Sequence, residues 1–358
     1  MQNLKYSVGI DVAKQEFKVC ISVIDQQQNV TVKATSSFGN SNNGFAEFRK
    51  WIKKHHKESL PIYFLMEATG IYHEHLAWFL FKNDYLVSVV LPNKAKKYIQ
   101  GLGIKSKNDK IDARGLAKMG AEQSLPLWKP ISKEIYKLRS LTRLHEDLSV
   151  QRSSLNNRLK SLDYTMFELK DSKKVLTKLI TAIDKQLADL ENKIKEAIGL
   201  DANLKGKYEK ISKIKGVGLM TFAVTVAETN GFELFTNIPQ LTSYAGYDVM
   251  ENQSGNFRGT SRISKKGNAH LRRVLHMPAF NVVKHEPEFK AFFNRIYEKT
   301  NIKMKGYVAV QRKLLTLIYT LWKKNVEYQP GIQRQESQIL FGAIPQESKK
   351  PSTSCLAL

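Results

Sequence analysis

Alternating and continuous apolar runs mark the first third of the chain. "KYSVGIDVA", "EFKVCISVID" and "NVTVKATSSF" are rich in β-branched and aromatic residues and are separated by short polar breaks, which predicts a β-meander. "LPIYFLMEATG" and "YLVSVVLP" are apolar nearly throughout, the pattern of buried strands; Gly70 stops the first and Pro92 closes the second. "NNGFAEFRKWIKKHH", "IYHEHLAWFLFKN" and "NDKIDARGLAKMGAEQ" carry helical periodicity. The first of these opens on an Asn/Gly cap region and the last on Asn108 or Asp109. Residues 1–128 therefore read as an α/β domain.

The pattern then changes. Residues 129–205 are nearly free of Gly and Pro, and Ile180, Ile183, Leu187, Leu190 and Ile194 recur at spacings of three and four. Leu141, Leu144, Leu148, Leu155, Leu159 and Leu162 nearly keep the same rhythm. This predicts long helices with a heptad seam, an antiparallel coiled-coil pair broken near "DYTMFELKDSKK", and it points to self-association. Residues 206–330 read as mostly helical around a Gly-rich middle, and 331–358 as a polar tail. No internal repeat is visible.

Charge narrows the function. The 358 residues hold 57 Lys and Arg against 33 Asp and Glu, a net charge of +24, which attracts a polyanion, nucleic acid first. No apolar run reaches the roughly 18 residues of a spanning helix, and the N-terminus meets its first acid too early for a secretory signal. Two cysteines, Cys20 and Cys355, make neither a disulfide framework nor a zinc set. The expectation is a cytoplasmic, nucleoid-associated protein acting on nucleic acid, with no membrane partner.

Four acids stand out within this basic chain. Asp11 ends the first strand, Glu67 ends the later buried strand, and Asp109 and Asp112 lie i, i+3 on one helix face. Ligand sites of α/β sheets lie at strand ends. Carboxylates converging there need a countercharge, and oxygen ligands of this kind suit Mg²⁺ or Mn²⁺, the ions of phosphoryl transfer. Each acid also has a plainer reading: Asp11 as a turn residue, Asp109 as a helix cap, Asp112 as the acidic first turn. A buried Glu67 is harder to explain without a partner.

"GIDVAK", "MEATGIY" and above all "KNDKIDARGLA" resemble the DEDD-type, RuvC-like (RNase H-like) domain of the one-ten family of bacterial insertion-sequence transposases, whose members are bridge-RNA-guided recombinases. The resemblance extends over most of the chain. It implies that Asp11, Glu67, Asp109 and Asp112 form the catalytic, Mg²⁺-binding set. It also implies DNA as substrate, a guide RNA, a homo-oligomer (dimer or tetramer) and a composite site assembled between protomers.

The second basic block, "NQSGNFRGTSRISKKGNAHLRRVL", places Ser254, Ser261 and Ser264 among Arg258, Arg262, Lys265, Lys266, Arg272 and Arg273. A hydroxyl beside phosphate-positioning cations suits strand transfer through a phosphoserine. From the residues alone a Ser-Gly pair is usually a turn. The same family resemblance, carried here by "SG", "ISKKGN" and "LRR", implies a catalytic serine in a C-terminal transposase domain. Ser254 is the matching position, and spacing leaves Ser261 and Ser264 open. "IKGVGLMTFAVTVAE" is similar to a helix-hairpin-helix, with Gly216 and Gly218 offering N–H groups to phosphate; a plain helix–helix connection fits equally. Lys94, Lys96, Lys97, Lys105, Lys107 and Arg114 make further backbone-contacting candidates, and His270 and His276 fit phosphate contact or packing better than proton transfer.

Two rival functions remain. A RuvC-like nuclease would use the same acids and metal with water as nucleophile on branched DNA or RNA–DNA hybrids. A non-catalytic scaffold would bind nucleic acid without any need of the acids.

Overall fold

A computed structural model describes residues 2–57, 59–68, 70–103, 108–251, 253–255, 257–259 and 262–330. The chain forms two compact units, Met1–Pro130 and Ile131–Leu358. The first is mixed α/β. Strands β1 (Asn3–Val12), β2 (Glu16–Asp25) and β3 (Val30–Gly39) form the expected antiparallel meander. Helix α1 (Asn42–His55) leads to β4 (Ile62–Glu67), which pairs parallel with β1. Helix α2 (Glu74–Lys82) leads to β5 (Leu86–Val90), parallel with β4. Helices α3 (Pro92–Gly101) and α4 (Asp109–Glu122) follow. The sheet order is β3-β2-β1-β4-β5.

The two-residue period of β1 divides this unit. Tyr6, Val8, Ile10 and Val12 are buried on one face with Phe45, Phe48 and Ile52 of α1 and Leu76 and Leu80 of α2. Each fully buried side chain of this size contributes about 1.5–3 kcal/mol. Ser7, Gly9 and Asp11 point to the other face, where α4 packs. The N-cap of α1 is Ser41, one residue before the Asn/Gly pair expected to open it: its hydroxyl accepts the Gly44 N–H at 3.4 Å.

The second unit is helical. Helices α5 (Lys133–Ser161) and α6 (Lys170–Leu200) run antiparallel, as the cross-pairs Arg152–Asp184 and His145–Glu191 establish. Leu176, Ile180, Leu190, Ile194 and Ile198 of α6 are buried, and Ile183 and Leu187 are half-buried. Leu144 departs from the expected seam and is 48% exposed. On α5 the inward rhythm runs 141, 145, 148, 152, 155, 159, so His145 and Arg152 stand at the facing positions and pair with acids across them, while Leu144 is turned outward.

Helices α7 (Ala202–Ile211), α8 (Leu219–Thr229) and α9 (Ile238–Ala245) come next. Four two-residue strands follow: β6 (Val249–Met250), β7 (Gln253–Ser254), β8 (Phe257–Arg258) and β9 (Arg262–Ile263). Helices α10 (Ala269–Val274), α11 (His276–His285), α12 (Pro287–Thr300) and α13 (Lys303–Lys324) complete the described part. The helical pair shares its core with these elements: Leu138, Ile194 and Ile198 pack in one cluster with Phe222, Phe232, Leu314, Ile318 and Trp322. A buried polar node fastens the join. Glu228 is 1% exposed, accepts Arg143 Nε and Nη2 at 2.8 and 3.0 Å, and accepts Asn268 Nδ2 at 2.6 Å. Burial pushes its carboxyl up, and these bonds more than offset that, holding it below the usual range. No described helix is long and apolar enough to cross a membrane. The expected tail at 331–358 lies outside the described residues.

Candidate active site

The four acids come from three chain segments, and strand register brings them to one end of one sheet face. β1 and β4 pair in parallel with Gly9 opposite Leu65 and Ile10 opposite Met66, so Asp11 and Glu67 stand at the same level at adjacent strand ends. Leu65 packs with Leu116 and Met119 of α4, which puts Glu67, two residues on, on the α4 face as well. Helix α4 runs antiparallel to β1 across that face: Gly120 lies over Ser7, and Ala113 and Ala117 over Gly9. Its first turn, with Asp109 and Asp112, consequently falls beside Asp11.

Gly9 makes this approach possible. A β-carbon there would sit 2.1 Å from the Ala117 nitrogen and 2.2 Å from the Ala113 oxygen, helix backbone that cannot swing aside. Gly9→Ala is expected to lift α4 from the strand at an overpacking cost of about 1–3 kcal/mol in stability, lowering the melting temperature and DNA cleavage with it. Thermal melts and a cleavage assay check both, and unchanged activity would show that the position of α4 does not matter.

Asp109 is not the cap of α4. Asn108 takes that role, its Oδ1 accepting the Ile111 N–H at 2.9 Å. Asp109 instead accepts Lys18 Nζ at 2.6 Å, and Lys18 is the cross-strand partner of Asp11 in the β1–β2 hairpin. Burial pushes the Asp11 carboxyl up to about 6, with Asp109, Asp112 and Glu67 adding to the rise and Lys18 opposing it. The bond to Asp109 in turn holds the Lys18 ammonium above its ordinary range. The acids thus act on one another through space and one built-in cation partly neutralises them. Among the described residues, no three His, Cys, Asp or Glu side chains already converge closely enough to hold a metal ion. The donor chemistry, all carboxylate oxygen with excess negative charge, fits a hard divalent cation.

In the second unit, Ser254 is exposed on the β7–β8 hairpin, paired with Phe257 across a two-residue connection. Gly255 starts that connection at φ +54°, a left-handed step that glycine takes without strain. The Ser-Gly pair is therefore a turn in geometry, and the turn presents the hydroxyl. Ser264 is half-buried and its Oγ accepts the Lys266 N–H at 3.3 Å. Ser261 lies outside the described residues.

The cationic candidates divide. Lys94, Lys96 and Lys97 on α3, Arg114 on α4, and Arg262, Lys265 and Lys266 after the hairpin are exposed. Arg272 Nη1 donates to the Ala245 and Asn268 carbonyls at 2.7 and 3.2 Å, and Arg273 forms an ion pair with Glu146. His270 Nδ1 lies 2.5 Å from a Glu146 oxygen, and His276 Nδ1 is 3.1 Å from Gln311 Nε2. These four side chains hold the unit together in this structure. Gly216, at φ +92°, packs against Asn281, whereas Gly218 caps α8 with open space around it. Lys105, Lys107 and the Arg258 side chain fall outside the described residues. The site residues missed by sequence reading are Gly9 and Lys18; only the hairpin register, which sets Lys18 opposite Asp11, signals the second.

Two of these carboxylates stand at strand ends and two in the first turn of α4, in a basic chain, and comparison with known proteins places that chain among transposases. Residues 8–167 match a DEDD transposase family profile of the IS110 type, and residues 208–294 match the transposase IS116/IS110/IS902 family. The chain is 32% identical over 324 residues to the pilin gene-inverting protein of Moraxella bovis, covering 90% of this chain and 97% of that one. It is 23% identical to the transposase for insertion sequence element IS1111A of Coxiella burnetii, over 68% of this chain and 73% of the relative. Among solved structures, Thermus thermophilus RuvC in complex with a Holliday junction substrate is similar over 33% of this chain and 93% of its own, at 12% identity and a TM-score of 0.26. The chain belongs to the IS110/IS116 family of transposases.

Proposed function

We propose that this transposase cuts and rejoins DNA through a covalent phosphoserine link made by Ser254, with Asp11, Glu67, Asp109 and Asp112 holding Mg²⁺ or Mn²⁺ at a RuvC-like centre. The observation that supports the reading is the placement of these four acids, from three segments, at one end of one sheet face, where burial and the other three acids push the Asp11 carboxyl up to about 6. Groups so perturbed at a strand end mark functional sites. Bound metal would neutralise the acids and stabilise charge on the departing strand oxygen.

The Ser254 oxygen attacks phosphorus, the Ser–O–P bond forms, and one strand P–O bond breaks. The leaving oxygen departs as a hydroxyl, taking up a proton. In rejoining, a strand hydroxyl attacks the same phosphorus and the serine regains its proton. Phosphoester bonds are conserved, so no external energy source is needed. Exposed cations such as Arg262 and Lys266 stabilise the developing charge on the phosphate oxygens. The same bond exchange moves an element or inverts a segment, according to how the two sites are arranged; the name of the Moraxella relative speaks of inversion. A guide RNA that chooses those sites, and pairing of protomers through α5 and α6, complete the proposal and rest on the family resemblance.

The test is strand exchange between two element ends on a plasmid. Glu67→Gln keeps shape and removes one charge, and is expected to lower the rate by at least about 100-fold. Ordinary Mg²⁺-dependent exchange in that variant would overturn the metal role.

A further inference from the structure

Beside the carboxylates, on the α4 face of the sheet, lies a cavity of about 250 Å³ lined by Lys18, Val19, Thr35, Ser36, Ser37 and Lys110. Its chemistry follows from register. Lys18 pairs with Ser37 and Cys20 with Thr35, so these four side chains share one face of the β2–β3 ladder. Cys20 packs under Ala113 and Ala117, which identifies this as the α4 face. Lys110 comes from the first turn of the same helix, directly after Asp109. Arg114, one turn further along, is exposed and close enough to Cys20 to act on its thiol. The described lining thus offers to this face the Thr35 and Ser37 hydroxyls, the Lys110 ammonium and the Lys18 ammonium, which Asp109 and Glu16 also hold, with a guanidinium near by; Ser36 alternates to the other face.

Such a lining suits an anion with several acceptor oxygens. Hydroxyls and ammonium groups donate to phosphate oxygens, and charge-assisted bonds of this kind are the strong ones. At about 30 Å³ per water in the liquid, the volume has room for a phosphodiester together with part of its hydration shell. Lys18 stands between the two environments, forming one wall of the cavity while its Nζ bonds Asp109. Whatever anion enters therefore lies next to the four acids.

We propose that this cavity is a phosphodiester-binding subsite, which holds the backbone of the DNA or RNA strand a short distance from the phosphate that reacts. This rests on the reading of Asp11, Glu67, Asp109 and Asp112 as the reacting centre. The occupant is nucleic acid backbone because the cavity adjoins that centre and the family acts as transposases. Phosphate contacts fix register without reading sequence, so the subsite sets where along the strand the centre acts.

The experiment measures binding of a fluorescein-labelled DNA duplex to the full chain by anisotropy, in EDTA so that no strand is cut. The variant Thr35→Ala/Ser37→Ala keeps every charge and is expected to weaken binding at least about five-fold. Lys110→Met is expected to weaken it similarly and to reduce the salt slope by about one ion. Lys54→Met, on α1 across the sheet, removes the same charge and is expected to stay within about two-fold of wild type. Superimposable curves for Thr35→Ala/Ser37→Ala and wild type would overturn the proposal, as would an equal loss in Lys54→Met and Lys110→Met. A free-phosphate site is the third result: inorganic phosphate would raise the melting temperature of wild type alone while DNA binding stayed equal in the two, and that also overturns it. The subsite and the reacting centre fail separately. If Glu67→Gln exchanged strands normally while the hydroxyl variant still bound weakly, the carboxylate reading would fall and the phosphate subsite would stand.

Discussion

Asp11→Asn is expected to give a protein inactive on DNA and, without metal ions, more stable than wild type. The side chain is partly buried among Glu67, Asp109 and Asp112, and its carboxyl is raised from 3.8 to about 6. A carboxylate raised in the folded state binds its proton more tightly there than in the unfolded chain. Its penalty on folding is absent below the unfolded value, grows as pH rises between about 4 and 6, and is complete near neutrality. Discounted for the partial solvent access of the site, the penalty is about 1–2 kcal/mol at pH 7. Thermal melts in EDTA should therefore show a gap between variant and wild type that opens as pH rises through this window. Adding Mg²⁺ should raise the wild-type melting temperature more than that of the variant. Equal melting at every pH would mean that the acids do not strain the metal-free fold.

Ser254→Ala is expected to abolish strand exchange and leave folding untouched. Ser254 is exposed on a two-stranded hairpin, and Ala is tolerated at that strand position, so the stability change should be within about 0.5 kcal/mol. Loss of a nucleophile removes the reaction path itself; residual exchange below roughly one part in 10³ is expected, the scale of losses when a nucleophile is deleted. Ser264→Ala provides the contrast. Its hydroxyl already accepts a main-chain N–H, and exchange should survive its removal. An active Ser254→Ala protein with an unaltered melting curve would remove the covalent mechanism.

The sequence made the framework legible where local pattern and tertiary structure agree. In β1 Tyr6, Val8, Ile10 and Val12 alternate with Ser7, Gly9 and Asp11, and Gly70 and Pro92 punctuate the later strands, so local pattern alone sets Asp11 and Glu67 at strand ends. Asn108 and Asp109 are both good caps, and only the hydrogen bond to Ile111 decides between them. Leu144 obeys a spacing argument and fails a geometric one, because polar His145 and Arg152 occupy the facing positions by pairing across the helices. Arg272 and Arg273 read as phosphate contacts in a basic block; their partners, Ala245 and Glu146, are distant in sequence and become visible only in the fold. Lys18 and Lys110 carry no local mark that separates them from other lysines. Their place beside Asp11 and Asp109 depends on the register of a hairpin and on a glycine that lets a helix lie against a strand.

The most direct measurement is to stop the reaction of wild-type protein with labelled DNA in denaturant, isolate any protein-linked strand, and map the attached peptide by mass spectrometry. A DNA-linked peptide bearing the modification on Ser254, dependent on Mg²⁺ or Mn²⁺ and missing in Asp11→Asn, is the expected result. Cleaved DNA with free ends alone, or an adduct on another residue, would contradict it.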